Sequence, residues 1–148
     1  MRALLDTNVL IDLFTERPPE GEEASKLAVM QELGDIELWV SAKSFTDVFY
    51  VMSKDNDSDS VQKTFLESLS FLKVCSVDVD DIRKAAERSW LDFEDCLIDV
   101  SAEKANVDLL LTRDRSGFSQ SQIRALSPKE LFAWLEEDLG ITYDVIEW

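Results

Sequence analysis

The residues with the clearest chemical potential are acidic side chains placed next to apolar segments. Asp6 ends the first apolar segment, and Asp114 lies three residues after Leu111. Asp47 falls in the first two turns of one predicted helix, and Asp95 begins another. Converging carboxylates either take up protons or hold a divalent cation. Oxygen ligands of this kind favour Mg²⁺ or Mn²⁺, which can activate water for phosphoryl displacement.

Two further acids flank this set. Glu94 precedes Asp95, and Asp99 follows one helical turn later. Like charges four residues apart destabilise a helix, so a sequence selected for stability alone would avoid the Asp95–Asp99 pair. This spacing leaves room for a functional use of the helix face, but Glu94 and Asp99 in such positions are more often solvated surface residues.

Each acid also has an ordinary structural explanation. Asp6 could cap the first helix, Asp95 could favour a helix N-terminus through the macrodipole, and Asp114 could form a turn. Asp47 could be a solvated helix residue. Spacing alone therefore gives a metal-site hypothesis that competes with these explanations.

The elements that must position the acids alternate along the chain. Short apolar segments predict five strands, at residues 3–5, 37–40, 74–77, 108–111 and 123–126. Amphipathic segments between them predict helices, and Ser41 is predicted to cap the helix after the second strand. Alternation of this kind predicts a three-layer α/β fold with a mostly parallel five-stranded sheet flanked by helices. We expect one domain over residues 1–148, with 140–148 as a loose tail.

The composition excludes several classes of protein. The chain has 148 residues, 15 Lys and Arg, 31 Asp and Glu, and no His, so its formal net charge is −16. Lack of histidine excludes a Ser-His-Asp mechanism and any His-ligated zinc site. No apolar run approaches the ~20 residues of a membrane helix, and two cysteines fit a reduced, cytoplasmic protein. An acidic surface also argues, at first sight, against binding nucleic acid.

Four segments resemble, in order, the motifs of the PIN-domain family of metal-dependent nucleases. They lie at residues 5–12, 41–50, 92–97 and 111–118. Arg17-Pro18-Pro19 is similar to one bacterial branch of the family. Each motif alone is weak, but four in order across nearly the whole chain are a strong signal.

The resemblance implies a site and an activity. Asp6, Asp47, Asp95 and Asp114 would hold one or two Mg²⁺ or Mn²⁺ ions, and Thr7 or Asn8 would hydrogen-bond within the site. The family hydrolyses phosphodiesters, mostly in RNA. Many bacterial members resemble VapC, a toxin that is paired with an antitoxin protein and forms a homodimer.

Two residues depart from the family pattern. Asp47 stands where many members have Glu, so its reach to a metal is one methylene shorter. Asp99 stands where the family often has a small apolar residue; it either extends the metal site or lies just outside it.

Local cations could let an acidic protein hold RNA. Arg113 and Arg115 flank Asp114, and Lys43 lies near the start of a helix on the same predicted rim. We expect these residues, with Thr7, to bind substrate over a small footprint, although each cation could equally be ordinary surface charge.

Two other functions stay open at this point. The chain could be a PIN fold used as a binding or regulatory module without turnover, a reading motivated by Asp47 and the net charge. An aspartyl phosphatase is the least favoured, because such enzymes usually have a second Asp where this chain has Asn8.

Overall fold

The computed structural model describes residues 1–144, which contain a five-stranded sheet and seven α-helices. The strands are β1 Arg2–Leu5, β2 Glu37–Ser41, β3 Lys73–Cys75, β4 Leu109–Leu111 and β5 Arg124–Leu126. The helices are α1 Thr7–Thr15, α2 Glu20–Glu32, α3 Ser44–Met52, α4 Ser58–Ser68, α5 Val79–Arg88, α6 Phe93–Lys104 and α7 Pro128–Leu139. A 3₁₀ turn, Arg115–Phe118, follows β4.

The strands lie in the order β3-β2-β1-β4-β5, and every neighbouring pair is parallel. Leu5 lies in register with Val40 on one side and Leu111 on the other, and Leu111 is in register with Leu126. The carboxyl ends of the central strands therefore meet at one edge of the sheet. The predicted three-layer α/β fold is confirmed, and the sheet is fully rather than mostly parallel.

Alternating side chains of the central strands build a core on each face of the sheet. Leu5 and Leu111 pack with residues of α1, α2, α3 and α7 on one face. Leu4 and Leu110 pack with Ile98 of α6 on the other. These two apolar layers fix the heights of α1 and α6 relative to the strand ends.

Local hydrogen bonds set where several helices begin. Asp6 caps α1, and its side chain accepts from Thr7 N. Asp92 caps α6 in the same way and accepts from Asp95 N at 3.1 Å. Ser127 and Glu130 form a capping box at the start of α7, with Pro128 in its first turn.

The prediction that Ser41 caps the following helix was wrong. Strand β2 continues through Ser41, which is fully buried and accepts a hydrogen bond from Ser101 Oγ of α6 at 3.2 Å. Helix α3 begins only at Ser44, and Lys43 occupies its N-cap position without a side-chain cap. A serine that pairs with another buried hydroxyl extends the strand instead of starting the helix.

The predicted loose tail starts at residue 140. Residues 141–144 form neither helix nor strand, but Tyr143 Oη donates to Asp35 Oδ2 at 2.8 Å, and its ring packs on Phe132. Residues 145–148 of the predicted tail lie outside the described part of the chain. Within residues 1–144, every helix is too short or too polar to cross a membrane.

Candidate active site

Four elements carry the predicted acids to the carboxyl edge of the sheet. Asp6 follows β1 directly, and its backbone N–H donates to Leu111 O at 2.8 Å. Asp114 follows β4, Asp47 lies in the first turn of α3, and Asp95 lies in the first turn of α6. This is the edge at which open α/β sheets bind their ligands.

Asp6 is the most enclosed of the four acids, with 6% of its surface exposed. Its Oδ1 accepts from Thr7 N at 2.7 Å, and its Oδ2 accepts from Thr112 Oγ1 at 2.8 Å. Burial raises the pKa of Asp6, and nearby Glu94 adds to the rise, while Thr112, Thr7 and Lys43 oppose it. The carboxylate is therefore rigidly oriented and sits in a field of mixed sign.

Asp95 carries the strongest electrostatic signature of the site. Its pKa is raised to about 6, first by burial and then by the negative charges of Asp92, Asp6, Asp114 and Glu94, in that order. Like charges raise a carboxyl pKa most when they lie within ~4–6 Å of it. Asp6, Asp95 and Asp114 therefore share one electrostatic environment.

The 3₁₀ turn after β4 approaches Asp95 closely. A Cβ built on Gly117 would overlap Oδ2 of Asp95. Glycine at this position lets the Asp95 carboxylate lie against the turn backbone. The turn that follows Asp114 thus also determines where Asp95 can lie.

Asp114 is held from two sides. Its backbone N–H donates to Thr112 Oγ1 at 3.0 Å, and its Oδ1 accepts from Ser116 Oγ at 2.5 Å. Since the same Thr112 hydroxyl donates to Asp6, this threonine links the two acids. Thr112 was missed as a site residue in the sequence, although it lies inside the fourth motif.

Asp47 forms an ion pair with a lysine of the same chain. Lys43 Nζ lies 2.8 Å from Asp47 Oδ2 and 2.9 Å from Glu94 Oε1. The two carboxylates raise the pKa of Lys43 against the opposing effect of its burial, so it stays protonated. Lys43 was predicted to bind substrate on an open rim, but its ammonium group points into the acidic cluster.

The donor set suits a hard divalent cation in its chemistry. Carboxylate oxygens from four elements face one strand edge, and their mutual repulsion is visible in the raised pKa of Asp95. Among residues 1–144, however, no three carboxylate or thiol side chains lie close enough together to ligate one ion. The acids share an electrostatic environment, and an ion held by Asp6, Asp95 and Asp114 together would have to draw their carboxylates closer.

The two predicted polar partners of Asp6 take different positions. The Thr7 hydroxyl lies 3.0 Å from Ser44 Oγ, in a buried contact that joins α1 to α3. Asn8 Oδ1 accepts from the backbone N–H of Arg113 at 3.2 Å, which ties α1 to the loop that carries Asp114. Both residues brace the site, and Ser44 had no signal in the sequence beyond its place in the second motif.

The predicted substrate-binding arginines both form ion pairs. Arg113 Nε lies 2.9 Å from Asp12 Oδ2, and Arg115 Nε lies 3.5 Å from Glu130 Oε1. Their side chains are 44% and 57% exposed, so both still face solvent beside Asp114.

Asp99 lies deeper in α6 than Asp95, with 1% of its surface exposed. It pairs with Arg88 of α5 at 2.9 Å and accepts from Ser121 Oγ. Burial raises the pKa of Asp99. These contacts favour the second of the two alternatives, a position just outside the metal site.

Comparison with known proteins finds relatives that match most of this chain. Ribonuclease VapC1 from Aquifex aeolicus (strain VF5) is 27% identical over 134 residues, which cover 87% of this chain and 92% of that protein. A toxin–antitoxin complex from Klebsiella pneumoniae contains a chain that is 22% identical, with a TM-score of 0.63 over 85% of this chain and 97% of that one.

Two other solved structures share the fold at lower identity. One is VapBC2 from Rickettsia felis, solved with a DNA fragment from the promoter of VapBC2. It is 18% identical, with a TM-score of 0.65 over 86% of this chain and 98% of that one. The other is Mycobacterium tuberculosis VapC20, described as a sarcin-ricin loop cleaving toxin, with 12% identity and a TM-score of 0.64 over 80% and 94%.

The family itself is shown by a sequence model described as a PIN domain, which matches residues 2–116. That span covers most of the chain and includes β1, α3, α6 and β4, the four elements that carry the acids. The resemblance found in the four motifs is confirmed, and the chain belongs to the PIN domain family.

Proposed function

We propose that this protein is a Mg²⁺- or Mn²⁺-dependent endoribonuclease of the VapC type. The observation that carries the proposal is Asp95, whose pKa is raised to about 6 by burial and by neighbouring carboxylates at the strand edge. Perturbed carboxyls that cluster in this way are typical of functional sites. The relative named Ribonuclease VapC1 supports RNA as the substrate class.

Different residues of the site would bind the metal and orient its ligands during phosphodiester hydrolysis. Asp6, Asp95 and Asp114 would hold the metal, with Asp47 beside them. When bound, a divalent cation lowers the pKa of water and offsets the charge that develops on the phosphate. Thr112 and the Thr7 N–H fix the two oxygens of Asp6, so this carboxylate keeps its orientation without further ordering.

Substrate contacts are expected on the rim next to Asp114. Arg113 and Arg115 are the exposed cations there, and their guanidinium groups can form paired hydrogen bonds with phosphate oxygens. The Thr7 hydroxyl and Lys43 are engaged by Ser44 and by two carboxylates, so they act on substrate only through the residues they position.

The partners are part of the same proposal. Solved structures with this fold include toxin–antitoxin complexes, which supports an antitoxin protein as the partner and a role as the toxin. We further propose a homodimer that works in the cytoplasm. A net charge of −16 favours a basic partner segment over an acidic one.

The test uses purified protein, single-stranded RNA and Mn²⁺ or Mg²⁺. We expect cleavage that EDTA stops and that Asp6→Asn reduces by about 10³-fold or more, since an oriented ligand is lost. Asp138→Asn, on the exposed end of α7, is the matched control and should cleave normally. Cleavage that survives both EDTA and Asp6→Asn would refute the mechanism.

A binding module without turnover is the second candidate. It is favoured by the spacing of the acids, none of which form a three-carboxylate cluster within residues 1–144. RNA binding without cleavage, together with no uptake of Mn²⁺ in calorimetry, would support this function over the nuclease.

A further inference from the structure

Lys43 is an unusual residue for its position. It occupies the N-cap of α3, where Ser, Thr, Asp or Asn would satisfy backbone N–H groups. A positive charge there also opposes the helix macrodipole. Its pairing with Asp47 has the lysine on the N-terminal side, which is the less favourable order for an i,i+4 ion pair. Helix stability therefore does not explain the choice of lysine.

The side chain is also largely removed from water. Lys43 is 18% exposed, and its ammonium group lies between Asp47 Oδ2 and Glu94 Oε1 at 2.8 and 2.9 Å. Burying a cation is costly unless it is paired, and here two carboxylates from α3 and α6 supply the compensation. The lysine thus neutralises one side of the acidic cluster.

The positive charge of Lys43 also acts on Asp6, which it does not contact directly. Lys43 opposes the rise in the pKa of Asp6, whereas Glu94 adds to it. Among residues 1–144, Asp6, Asp95 and Asp114 form no ion pair with a lysine or arginine side chain, whereas Asp47 and Glu94 both pair with Lys43. The cluster therefore has one part, Asp47 and Glu94, in direct ion-pair contact with Lys43. Its other part, Asp6, Asp95 and Asp114, lies outside that contact.

We propose that Lys43 is a built-in cation that takes the place of a second metal ion, so that the site binds one divalent ion, on the Asp6, Asp95 and Asp114 side. This inference rests on the proposed metal-dependent function and deepens it. Lys43 is a positioning residue, because it holds Asp47 and Glu94 and contacts no reacting atom.

The experiment counts the ions. Isothermal titration of the wild-type protein with Mn²⁺ should give one ion per chain. Lys43→Met frees Asp47 and Glu94 and should take up two ions, the first about tenfold more tightly, equivalent to ~1.4 kcal/mol. Lys43→Arg retains the charge and should stay at one ion. Lys63→Met removes an exposed lysine from α4 and should also stay at one.

The double variant Lys43→Met/Asp47→Asn should return to one ion, because it removes a ligand for the second. Two Mn²⁺ ions on the wild-type protein would overturn the inference even if Lys43→Met failed to fold. An unchanged count of one in a folded Lys43→Met protein would overturn it as well. Both results leave the ribonuclease proposal standing, whereas no Mn²⁺ uptake by wild type, with no RNA cleavage, would refute the two together.

Discussion

At the scale of single residues, Gly117 controls the position of a proposed metal ligand. Any Cβ at this position would overlap Asp95 Oδ2, so Gly117→Ala must displace either the carboxylate or the turn. A shift of about 1 Å in a reacting group can cost ~10²-fold in rate. We therefore expect RNA cleavage to fall by about 10²-fold, with a weaker affinity for Mn²⁺ in calorimetry.

The control for Gly117→Ala is Ser119→Ala, an exposed position just after the same turn. It should leave both cleavage and Mn²⁺ affinity unchanged. Normal Mn²⁺ affinity and normal cleavage in Gly117→Ala would show that the turn adapts and that the close approach has no functional role.

Asp95 is expected to reduce stability in the metal-free protein. Burial and neighbouring acids raise the pKa of Asp95 to about 6, so its ionised form is destabilised in the folded protein near neutral pH. Asp95→Asn should increase the free energy of unfolding in EDTA at pH 7 by about 1 kcal/mol, after allowance for solvent screening. Urea denaturation measures this change, and Asp138→Asn should move it by less than about 0.5 kcal/mol. If Asp95→Asn were less stable than wild type in EDTA, repulsion between Asp95 and its neighbouring acids would not be the dominant effect.

Some of these residue roles could be predicted from the sequence and others could not. Asp6 and Asp114 follow strands, and the carboxyl ends of parallel strands share an edge. The role of Thr112 depends on β1 and β4 being neighbours, which no local pattern encodes. The direction of the Lys43 side chain depends on Glu94, about fifty positions away in the chain and on another helix.

At the scale of elements, the pairing of α5 with α6 depends on a buried charge. Asp99 of α6 is 1% exposed and pairs with Arg88 of α5, which also contacts Glu103 at 2.6 Å. Removing one partner of a buried pair costs about 3–5 kcal/mol, because the other charge is left uncompensated. Arg88→Met should lower the free energy of unfolding by about 3 kcal/mol in urea denaturation at pH 7.

The matched control on the same helix is Arg83→Met. Arg83 and Asp80 form an exposed pair, with side chains 61% and 81% exposed, so its loss should cost less than about 1 kcal/mol. Equal decreases in the free energy of unfolding for Arg88→Met and Arg83→Met would show that the burial of Asp99 does not strengthen its ion pair with Arg88.

The effect of Arg88→Met should also depend on pH. Burial acts to raise the pKa of Glu103, but hydrogen bonds from Arg88 and Lys84 lower it overall. Stability from such a group is present above its unfolded pKa and is lost as the pH falls through its folded pKa. Burial raises the pKa of Asp99, so it takes up a proton earlier on acidification. The gap between wild type and Arg88→Met should therefore shrink from pH 7 towards pH 4, and a constant gap would refute the explanation.

Element boundaries show what the sequence could predict at this scale. All five strands and their order along the chain follow from apolar segments. Gly34, at φ +82°, follows the C-cap residue Leu33 of α2, a position where glycine commonly ends a helix. Ser41 failed as a helix cap because its partner, Ser101, comes from α6. A serine next to a strand has the same local pattern in both situations, and only the tertiary contact decides between them.

At the scale of the whole molecule, the net charge of −16 no longer argues against a nucleic-acid substrate. The acids separate into a cluster at the strand edge, partly compensated by Lys43, and a larger surface population that repels phosphate. Binding of RNA must then depend on a few cations such as Arg113 and Arg115 together with the proposed metal. A small footprint and modest affinity are the physical consequences.

This small footprint predicts a shallow dependence of RNA binding on salt. For single strands the slope of log K against log salt is about −0.7 per phosphate contact, so two or three contacts give a slope of about −2. The slope can be measured with Asp6→Asn, which binds without cleaving, by fluorescence anisotropy of a labelled single strand at several salt concentrations. Arg115→Met in the same background should make the slope shallower by about 0.7, while Lys63→Met should leave it unchanged. A slope steeper than about −5 would mean that RNA contacts a much broader basic surface. It would refute the explanation that this acidic protein binds RNA through a few local cations and the metal.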